Sequence, residues 1–400
     1  MSSHIHKKPI AIVMGRNYTS RLGMIRAAGT AGCDVVVIQT EHKKPLLRPI
    51  DSRSKYVVAR QYIPEPDREG LIRLIQSYKS DGDKPVLLPT DDYTAATIDM
   101  NLDSLRDDFL LPHVNNEQGA VVRLMDKSLQ KKIALEAGMN VAREWICEWH
   151  DDHYVIPSDV SYPCFTKPQL SSQGHLKRYQ KKCNTPLELE GLLHSVGKVF
   201  HGPILVEDYH EISREFAVVG LSLKDYSLIP SVIEMKDSFH GITALGTLMP
   251  ISRIPSMKEF LSDFMRRSQL TGLFDIDMYE SGGKLYFNEL NVRFGANGFA
   301  LSNSVVNLPG LFLHYLLGHG HPAANSPQSF DCLTFANENI LRQMYYEGLI
   351  TYKQYRLSQQ SANTYAIKNQ TDKLPYCFFR SMDCVLPLVL LLKKLKKFIH

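Results

Sequence analysis

The residues in this chain that most directly indicate chemistry are three oxygen donors, Asp277, Glu289 and Asn291. Charged groups that leave water need a partner of opposite charge or a metal ion. Hard oxygen ligands favour Mg2+, which usually takes one or two carboxylates and fills its remaining positions with water and substrate phosphates. A divalent-cation site is therefore one interpretation of these residues. Solvated acids on a surface hairpin are an equally compatible one.

The stretch FNELNVRFG, residues 287–295, has the alternation of a β-strand. Strand side chains alternate between faces, so one face is expected to carry three polar groups, Glu289, Asn291 and Arg293, and the other Asn288 and Leu290. The preceding FDID, residues 274–277, is a second strand candidate whose two aspartates share a face. A Ser-Gly-Gly-Lys turn joins the two segments, so the hairpin is expected to bring Asp277 towards Glu289.

Two lysines upstream are candidates for contacts with phosphate. Lys167 lies in CFTKP, which indicates a strand running into a turn. The loop that follows contains small residues, Ser171, Ser172 and Gly174. Free backbone N–H groups in such a loop suit a close approach to phosphate, although most loops of this kind are only turns. Lys127 follows Asp126, a good helix N-cap, and by itself this pattern favours a lysine on a solvated helix face.

A third polar group lies in ILVEDYHEISREFAVVG, residues 204–220, which has the pattern of a strand, a short connection and a second strand. Glu207, Asp208 and Glu215 lie between the apolar runs of this segment. These acids complete a series of motifs whose order along the chain is more informative than any one of them.

In that order the chain resembles the ATP-grasp superfamily. The resemblance runs from about Pro89 to Leu317, and it includes the segments PTDDYTA, CFTKP, LFDIDMYE and FNELNVRFG. These segments are each similar to the carboxylate–amine ligase group, which includes D-aspartate ligase and the halves of carbamoyl-phosphate synthetase. The implied fold class is α/β, with an N-terminal parallel-sheet pre-ATP-grasp domain, an α+β ATP-grasp fold that holds the nucleotide between two subdomains, and a C-terminal appendage.

The resemblance also implies roles for the candidate residues. Contacts with the phosphates of ATP would come from Lys127, Lys167, Ser171, Ser172 and Gly174. The interdomain hinge at Glu207 and Asp208 would hold adenine, largely through backbone groups, and Glu215 would accept hydrogen bonds from ribose. The ligands of Mg2+, or of Mn2+ in its place, would be Asp277, Glu289 and Asn291, and Arg293 would stabilise the transferring phosphoryl group.

Three features depart from the family pattern or align with it loosely. The loop after Lys167 has one glycine where relatives usually have more, and Asp208 stands where a glutamate is more usual. Lys236 and His240 stand where relatives often contact phosphate or an intermediate. A lone histidine of this kind is more often structural than functional.

The implied reaction is an ATP-dependent ligation. A substrate carboxylate would attack the γ-phosphate to give an acyl phosphate and ADP, and an amine would then displace phosphate. An amino acid such as D-aspartate and a cell-wall precursor are compatible substrates. Two alternatives share the fold, namely a non-catalytic ATP-binding regulatory protein and a carboxylase that uses bicarbonate.

Composition agrees with a globular enzyme, since 44% of the 400 residues are hydrophobic and 22% are charged. A formal net charge of +4 is small for this length, and no basic–aromatic clusters indicate nucleic acid. Seven cysteines are scattered without CxxC spacing, which favours reduced thiols in a cytoplasm. The start, MSSHIHKKP, does not have the apolar run of a signal peptide.

The first hundred residues predict alternating strands and helices, and hence a parallel sheet. Strands are expected at residues 9–15, 33–40 and 85–92, and a helix at residues 22–32. Gly15 follows the first strand, but the next glycine is Gly23, so the spacing of a dinucleotide-binding GxGxxG motif is missing. We therefore reject an NAD-dependent oxidoreductase.

These patterns divide the chain into residues 1–112 (the pre-ATP-grasp domain), 113–320 (the ATP-grasp domain) and 321–400 (the appendage). Residues 335–355 are predicted to be helical. The end, VLPLVLLLKKLKKFIH at residues 385–400, has leucines at helical spacing and four lysines between them. Docking of this segment on the enzyme body is the favoured interpretation, and peripheral contact with an anionic membrane is the alternative.

Overall fold

The computed structural model describes residues 8–44, 48–170, 173–320 and 330–383. The predicted phosphate contacts Ser171 and Ser172 and the basic C-terminal segment lie outside these residues. Within them, the strands form an N-terminal sheet, a small sheet and a large sheet.

The N-terminal sheet is parallel throughout and has the strand order β3-β2-β1-β4. Its strands are β1 (Ile10–Gly15), β2 (Asp34–Gln39), β3 (Val57–Tyr62) and β4 (Val86–Pro89). The helices are α1 (Tyr18–Thr30), α2 (Arg68–Gln76), α3 (Asp92–Asp99) and α4 (Leu102–Leu105). Because both faces of β1 are covered, it is a continuous apolar run, as expected for a strand inside a parallel sheet.

The strands predicted at residues 9–15 and 33–40 are confirmed, whereas the strand predicted at residues 85–92 ended too late, because β4 ends at Pro89 and Asp92 begins α3. The predicted helix at residues 22–32 began too late and ended too late. Helix α1 begins at Tyr18 because the Asn17 side chain accepts a hydrogen bond from the Thr19 N–H and caps the helix. It ends at Thr30, and Gly32 beyond it has a positive φ of 95°.

Residues 113–141 connect the N-terminal sheet to the rest of the chain. They form β5 (His113–Val114), α5 (Ala120–Leu124), α6 (Lys127–Glu136) and β6 (Asn140–Val141). The Asp126 side chain accepts hydrogen bonds from two backbone N–H groups of the first turn of α6, so the predicted N-cap is confirmed.

The small sheet follows. Its strands are β7 (Glu144–His150), β8 (His153–Val155), β9 (Cys164–Pro168), β10 (Lys182–Cys183) and β11 (Ile204–Asp208), and its helix is α7 (Pro186–Gly197). The strands pair antiparallel in the order β10-β9-β11-β7-β8. Helix α7 packs on this sheet through a core that includes Leu189, Leu193 and Val206.

The large sheet contains β12 (Arg214–Ser222), β13 (Leu228–Phe239), β14 (Ile242–Pro250), β15 (Leu270–Ser281) and β16 (Lys284–Asn291), with α8 (Pro255–Ser268) between β14 and β15. The predicted hairpin is confirmed as β15 and β16. Gly282 and Gly283, with φ of 56° and 74°, form its turn, which requires left-handed backbone. The FDID segment lies within a strand of 12 residues rather than forming a short strand of its own.

The hairpin contains an irregularity that the alternation did not predict. Asp277 lies opposite Glu289, but the next paired residue, Met278, lies opposite Phe287, so Asn288 is an extra residue in a bulge. Asn288 therefore reaches the same cleft as Glu289, whereas Leu290 is buried in the core. The prediction that Asn288 and Leu290 share a face was wrong for this reason.

The remaining elements are α9 (Gly298–Ser302), α10 (Leu308–Leu316), β17 (Leu333–Ala336), α11 (Glu338–Tyr346), α12 (Tyr352–Ser358) and β18 (Thr364–Tyr365). Residues 374–383 are helical. The helix predicted at residues 335–355 was wrong in two places, since Phe335 and Ala336 end a strand and Gly348, with φ of 76°, follows α11.

Residues 330–383 pack closely on the body of the protein. Strand β17 pairs with β14, so the large sheet runs β18-β17-β14-β13-β12-β15-β16-β6, and β5 pairs with β15. A shared core joins α1 to the large sheet and to Phe335 and Phe379. The domain boundaries after residues 112 and 320 stay predictions. No helix in the described ranges has the length and apolarity to cross a membrane.

Candidate functional site

A cavity of about 400 Å³ lies between the small sheet and the large sheet. Predicted site residues line it from both sides: Lys127, Lys167, Glu207, Asp208, Glu215, Asp277, Glu289 and Asn291. A wider, open groove of about 680 Å³ lies between α6 and α8 and contains none of them. The fold therefore brings residues that are up to 164 positions apart into one cleft, from 127 to 291.

Lys127 enters this cleft from the first turn of α6. Its side chain is buried, and its ammonium pairs with the Glu289 carboxylate on β16. The solvated helix-start lysine that Asp126 alone favoured is therefore wrong, because α6 packs with this turn facing the large sheet. Gln130 fixes the orientation of α6 relative to β16, because its amide accepts a hydrogen bond from the Leu290 N–H and donates one to the Leu290 carbonyl.

Lys167, at the end of β9, spans the cleft. Its Nζ lies 2.7 Å from Glu207 Oε2 on the small sheet and donates to Asn288 Oδ1 on the large sheet at 2.6 Å. The bulge in β16 makes the second contact possible, because it turns Asn288 towards the cleft. No feature of the sequence indicated the bulge, so Asn288 was missed as a site residue.

Glu207 is buried and takes part in the site through its side chain. Its carboxylate pairs with Lys167 and also with Lys131, a second buried lysine on α6. Burial raises the pKa of the Glu207 carboxyl, but the two ammonium groups more than offset this, so its pKa lies below its ordinary value. Lys131 was missed, although its place four residues after Lys127 puts both lysines on one helix face.

Asp208, next to Glu207, is held by local contacts. Its side chain accepts a hydrogen bond from Ser161, and its backbone N–H donates to the Arg143 carbonyl at 3.0 Å. Glu215 lies near the start of β12 with its side chain exposed. Gly174 begins a 3₁₀ turn, Gly174–Tyr179.

The predicted metal ligands lie on paired strands at the floor of the cavity. Asp277 is directly opposite Glu289, and Asn291 Nδ2 lies 3.4 Å from Asp277 Oδ2. The described residues contain no group of three or more histidines, cysteines or acids placed to hold a metal. Two carboxylates and one amide oxygen nevertheless suit Mg2+, which needs few protein ligands when phosphate oxygens complete its shell.

Arg293 lies just beyond the cavity, at the junction with the N-terminal sheet. Its Nε is 2.7 Å from Asp92 Oδ1 on α3, and its Nη2 donates to Asn291 Oδ1 at 3.2 Å. Burial lowers the pKa of the Arg293 guanidinium, but the carboxylates of Asp92, Asp275 and Asp91 more than offset it and the pKa is raised. Arg293 is thus placed to orient Asn291, and it does not line the cavity itself.

Asp275 is a buried carboxylate beside this cluster and lies opposite Asn291. Burial raises its pKa to about 6, with Glu289 adding to the increase and Arg293 opposing it. Its Oδ1 has no hydrogen-bond partner among the described residues. A side chain at position 295 would meet it, because a Cβ added to Gly295 would lie 1.5 Å from Asp275 Oδ2.

The other half of the cavity is aromatic and apolar. It is lined by Phe165, Tyr209, His210, Ile212, Met235, Met278 and Tyr279. His210 Nδ1 lies 2.9 Å from the Tyr279 hydroxyl, and Tyr279 stacks on Tyr286 with ring centroids 5.2 Å apart. Such a surface suits a planar ring, and it lies in the same cavity as the lysines and acids.

Lys236 and His240 lie at the edge of this region. Lys236 pairs with Glu234 at 2.7 Å and is half exposed. His240 has a positive φ of 51° in the turn between β13 and β14, and its ring packs against Phe239. Neither side chain lines the cavity, whereas Ser238 and Gly241 do.

No family model matches the chain. It is 26% identical over 151 residues to the formate-dependent phosphoribosylglycinamide formyltransferase of Sulfolobus acidocaldarius, which covers 34% of this chain and 36% of that protein. The chain spans between 36% and 57% of the length of the curated relatives that it matches.

Solved structures resemble most of the chain. An L-amino acid ligase from Bacillus licheniformis has a TM-score of 0.62 at 15% identity and covers 82% of this chain and 80% of its own. An N5-carboxyaminoimidazole synthetase from Staphylococcus aureus complexed with ADP has a TM-score of 0.63 at 15% identity. The match covers 85% of this chain and 86% of the synthetase. The fold that was expected from the resemblance is thereby confirmed.

Proposed function

We propose that this ATP-grasp chain is an ADP-forming ligase that joins a carboxylate to an amine through an acyl phosphate. The observation that carries the proposal is the cavity in which Lys127 and Lys167, two acids on paired strands and an aromatic surface meet. Each of these charges costs free energy to remove from water, so their gathering in one cavity supports a site for a charged ligand such as a nucleotide.

In this proposal the aromatic half of the cavity takes the adenine ring, and the exposed carboxylate of Glu215 accepts from ribose hydroxyls. Lys127 and Lys167 contact the phosphates, for which compact ammonium groups are suited. Asp277, Glu289 and Asn291 hold Mg2+ or Mn2+, whose chemistry is to neutralise charge on the phosphoryl oxygens. Arg293 keeps Asn291 in place and adds positive charge beside it.

The reaction then has two steps. A substrate carboxylate oxygen attacks the γ-phosphorus, the bond to the β–γ bridging oxygen breaks, and ADP leaves. The nitrogen of an amine attacks the acyl carbon, inorganic phosphate leaves, and the amine loses a proton as the amide forms. An acyl phosphate hydrolyses in water, so the cleft must be closed during this sequence.

The substrates are proposed as small molecules, with an amino acid as the carboxylate. The L-amino acid ligase whose fold this chain shares supports amino acids as the first panel to test. A cell-wall precursor as the amine, with peripheral membrane contact through residues 385–400, is an extension of the same proposal.

The experiment is ADP release measured with pairs of carboxylates and amines, with and without bicarbonate. Release that requires both an amino acid and an amine supports the ligase. Release that requires bicarbonate instead would identify a carboxylase, and tight ATP binding without turnover on any pair would identify a regulatory protein. Glu289→Gln tests the site, and Glu259→Gln on the exposed face of α8 is its matched control.

A further inference from the structure

Lys131 is a buried cation that the proposed reaction does not use. It lies on α6, one helical turn after Lys127, and only 4% of its side chain is exposed. Its Nζ is 2.5 Å from Glu207 Oε1 and 3.1 Å from Glu144 Oε2. A buried ammonium with two carboxylate partners is expensive to desolvate, so its place beside the cavity calls for an explanation.

Glu207 connects Lys131 to the cavity. One carboxylate oxygen contacts Lys131, and the other contacts Lys167, so two ammonium groups share one buried carboxylate. Lys167 in turn reaches Asn288 across the cleft. The contacts form a continuous chain from α6 through β11 and β9 to β16.

We infer that Lys131 is a positioning residue, which neutralises Glu207 and thereby allows Lys167 to transfer from Glu207 to the phosphate of a bound nucleotide. The inference rests on the proposed function, because it takes Lys167 as a phosphate contact. With Lys131 in place, Glu207 keeps a partner when Lys167 leaves. Without it, the departure of Lys167 would leave a buried carboxylate unpaired, which is strongly unfavourable.

Lys131→Met leaves an unbranched side chain that is one atom shorter and removes the charge. Lys167 then stays on Glu207, and nucleotide binding loses one charge-assisted contact. We expect the Kd of a non-hydrolysable ATP analogue with Mg2+ to rise roughly tenfold or more. Lys131→Arg, which restores the cation, should recover much of the affinity.

A double-mutant cycle separates this role from simple packing. In Glu207→Gln, residue 207 carries no charge and no longer requires a cationic partner, so Lys167 is available whether or not Lys131 is present. Lys131→Met should therefore weaken binding in the wild-type background and have little effect in Glu207→Gln. Lys132→Met is the matched control, since Lys132 neighbours Lys131 on α6 and is exposed.

The measurement is isothermal titration calorimetry with the MgATP analogue, on variants whose thermal unfolding shows that they are folded. Equal losses from Lys131→Met in both backgrounds would overturn the inference and assign Lys131 to packing. So would wild-type affinity in Lys131→Met. If the wild-type protein bound no nucleotide, both the proposed function and the inference would fail. If it bound nucleotide and Lys131→Met gave either result above, the inference alone would fail.

Discussion

At the scale of single residues, the site is built from charges that neutralise one another. Lys127 pairs with Glu289, Lys167 with Glu207, and Arg293 with Asp92. Each of these cations is thus held by a carboxylate. A phosphate that binds in this cleft must therefore replace a carboxylate as the partner of a lysine. A substitution of one member of an ion pair also leaves the other member without its partner.

Glu289→Gln is expected to reduce turnover by about a hundredfold or more, because the metal is needed most where charge develops in the transition state. Nucleotide affinity should fall much less, since the substitution also frees Lys127 from its ion pair. Single-turnover ADP formation and calorimetric binding measure the two effects separately. Turnover like that of the wild type would remove Glu289 from the metal site, and Glu259→Gln serves as the control for an exposed acid.

Arg293→Lys should lose most activity, although the charge is retained. The guanidinium contacts Asp92 through Nε and Asn291 through Nη2. The ammonium of lysine has one nitrogen and cannot reach both partners with the geometry of the planar guanidinium. The test is kcat/KM for the productive substrate pair, with thermal unfolding measured alongside. Full activity would show that Arg293 is a structural ion pair that joins α3 to the end of β16.

At the scale of elements, the packing of α6 on β16 sets the site. Gln130 donates to the carbonyls of Leu124 and Leu290 at 2.7 and 2.9 Å, and it accepts from the Leu290 N–H at 2.8 Å. This fully buried amide fixes the helix relative to the strand, and hence Lys127 relative to Glu289.

Gln130→Met is therefore expected to lower the free energy of unfolding by about 3 kcal/mol, because it leaves buried backbone groups unpaired. Urea denaturation measures this, with the exposed substitution Lys132→Met as the control on the same helix. A change in the unfolding free energy no larger than that of the control would show that water or a shifted backbone satisfies these groups.

At the scale of the whole molecule, residues 330–383 hold the N-terminal sheet against the large sheet. Arg26 on α1 is buried and contacts Asp372 Oδ2 at 2.9 Å and the Ile367 carbonyl at 2.8 Å. The other oxygen of Asp372 accepts from the Lys55 N–H at 3.0 Å. The first and last described parts of the chain are thus joined by a buried ion pair.

Arg26→Met should lower the free energy of unfolding by about 3–5 kcal/mol, since it leaves the buried Asp372 carboxylate without its cation. Arg73→Met is the comparison, because Arg73 pairs with Glu69 on an exposed helix face and such pairs contribute about 0.3–0.5 kcal/mol. Equal effects of the two substitutions in chemical denaturation would contradict the role given to Arg26.

The net positive charge of the chain comes from its last residues. The chain has 46 basic and 42 acidic residues, and residues 385–400 contain four lysines and no acid, so the rest has 42 of each. Docking on the protein predicts that both the full chain and a chain ending at Met382 stay unbound when anionic liposomes are floated. If the full chain floated with the liposomes and the chain ending at Met382 did not, membrane contact through this segment would be established.

The sequence by itself determined the alternating N-terminal strands, the β15–β16 hairpin and the set of acids and lysines, because these follow from local periodicity, turn residues and motif order. Only the tertiary structure decided which of these side chains meet. The bulge that turns Asn288 into the cleft and the burial of Lys131 against Glu207 depend on how β15 pairs with β16 and how α6 packs. Those contacts join residues far apart in the chain, and no local pattern specifies them, because pairing and burial are properties of several elements together.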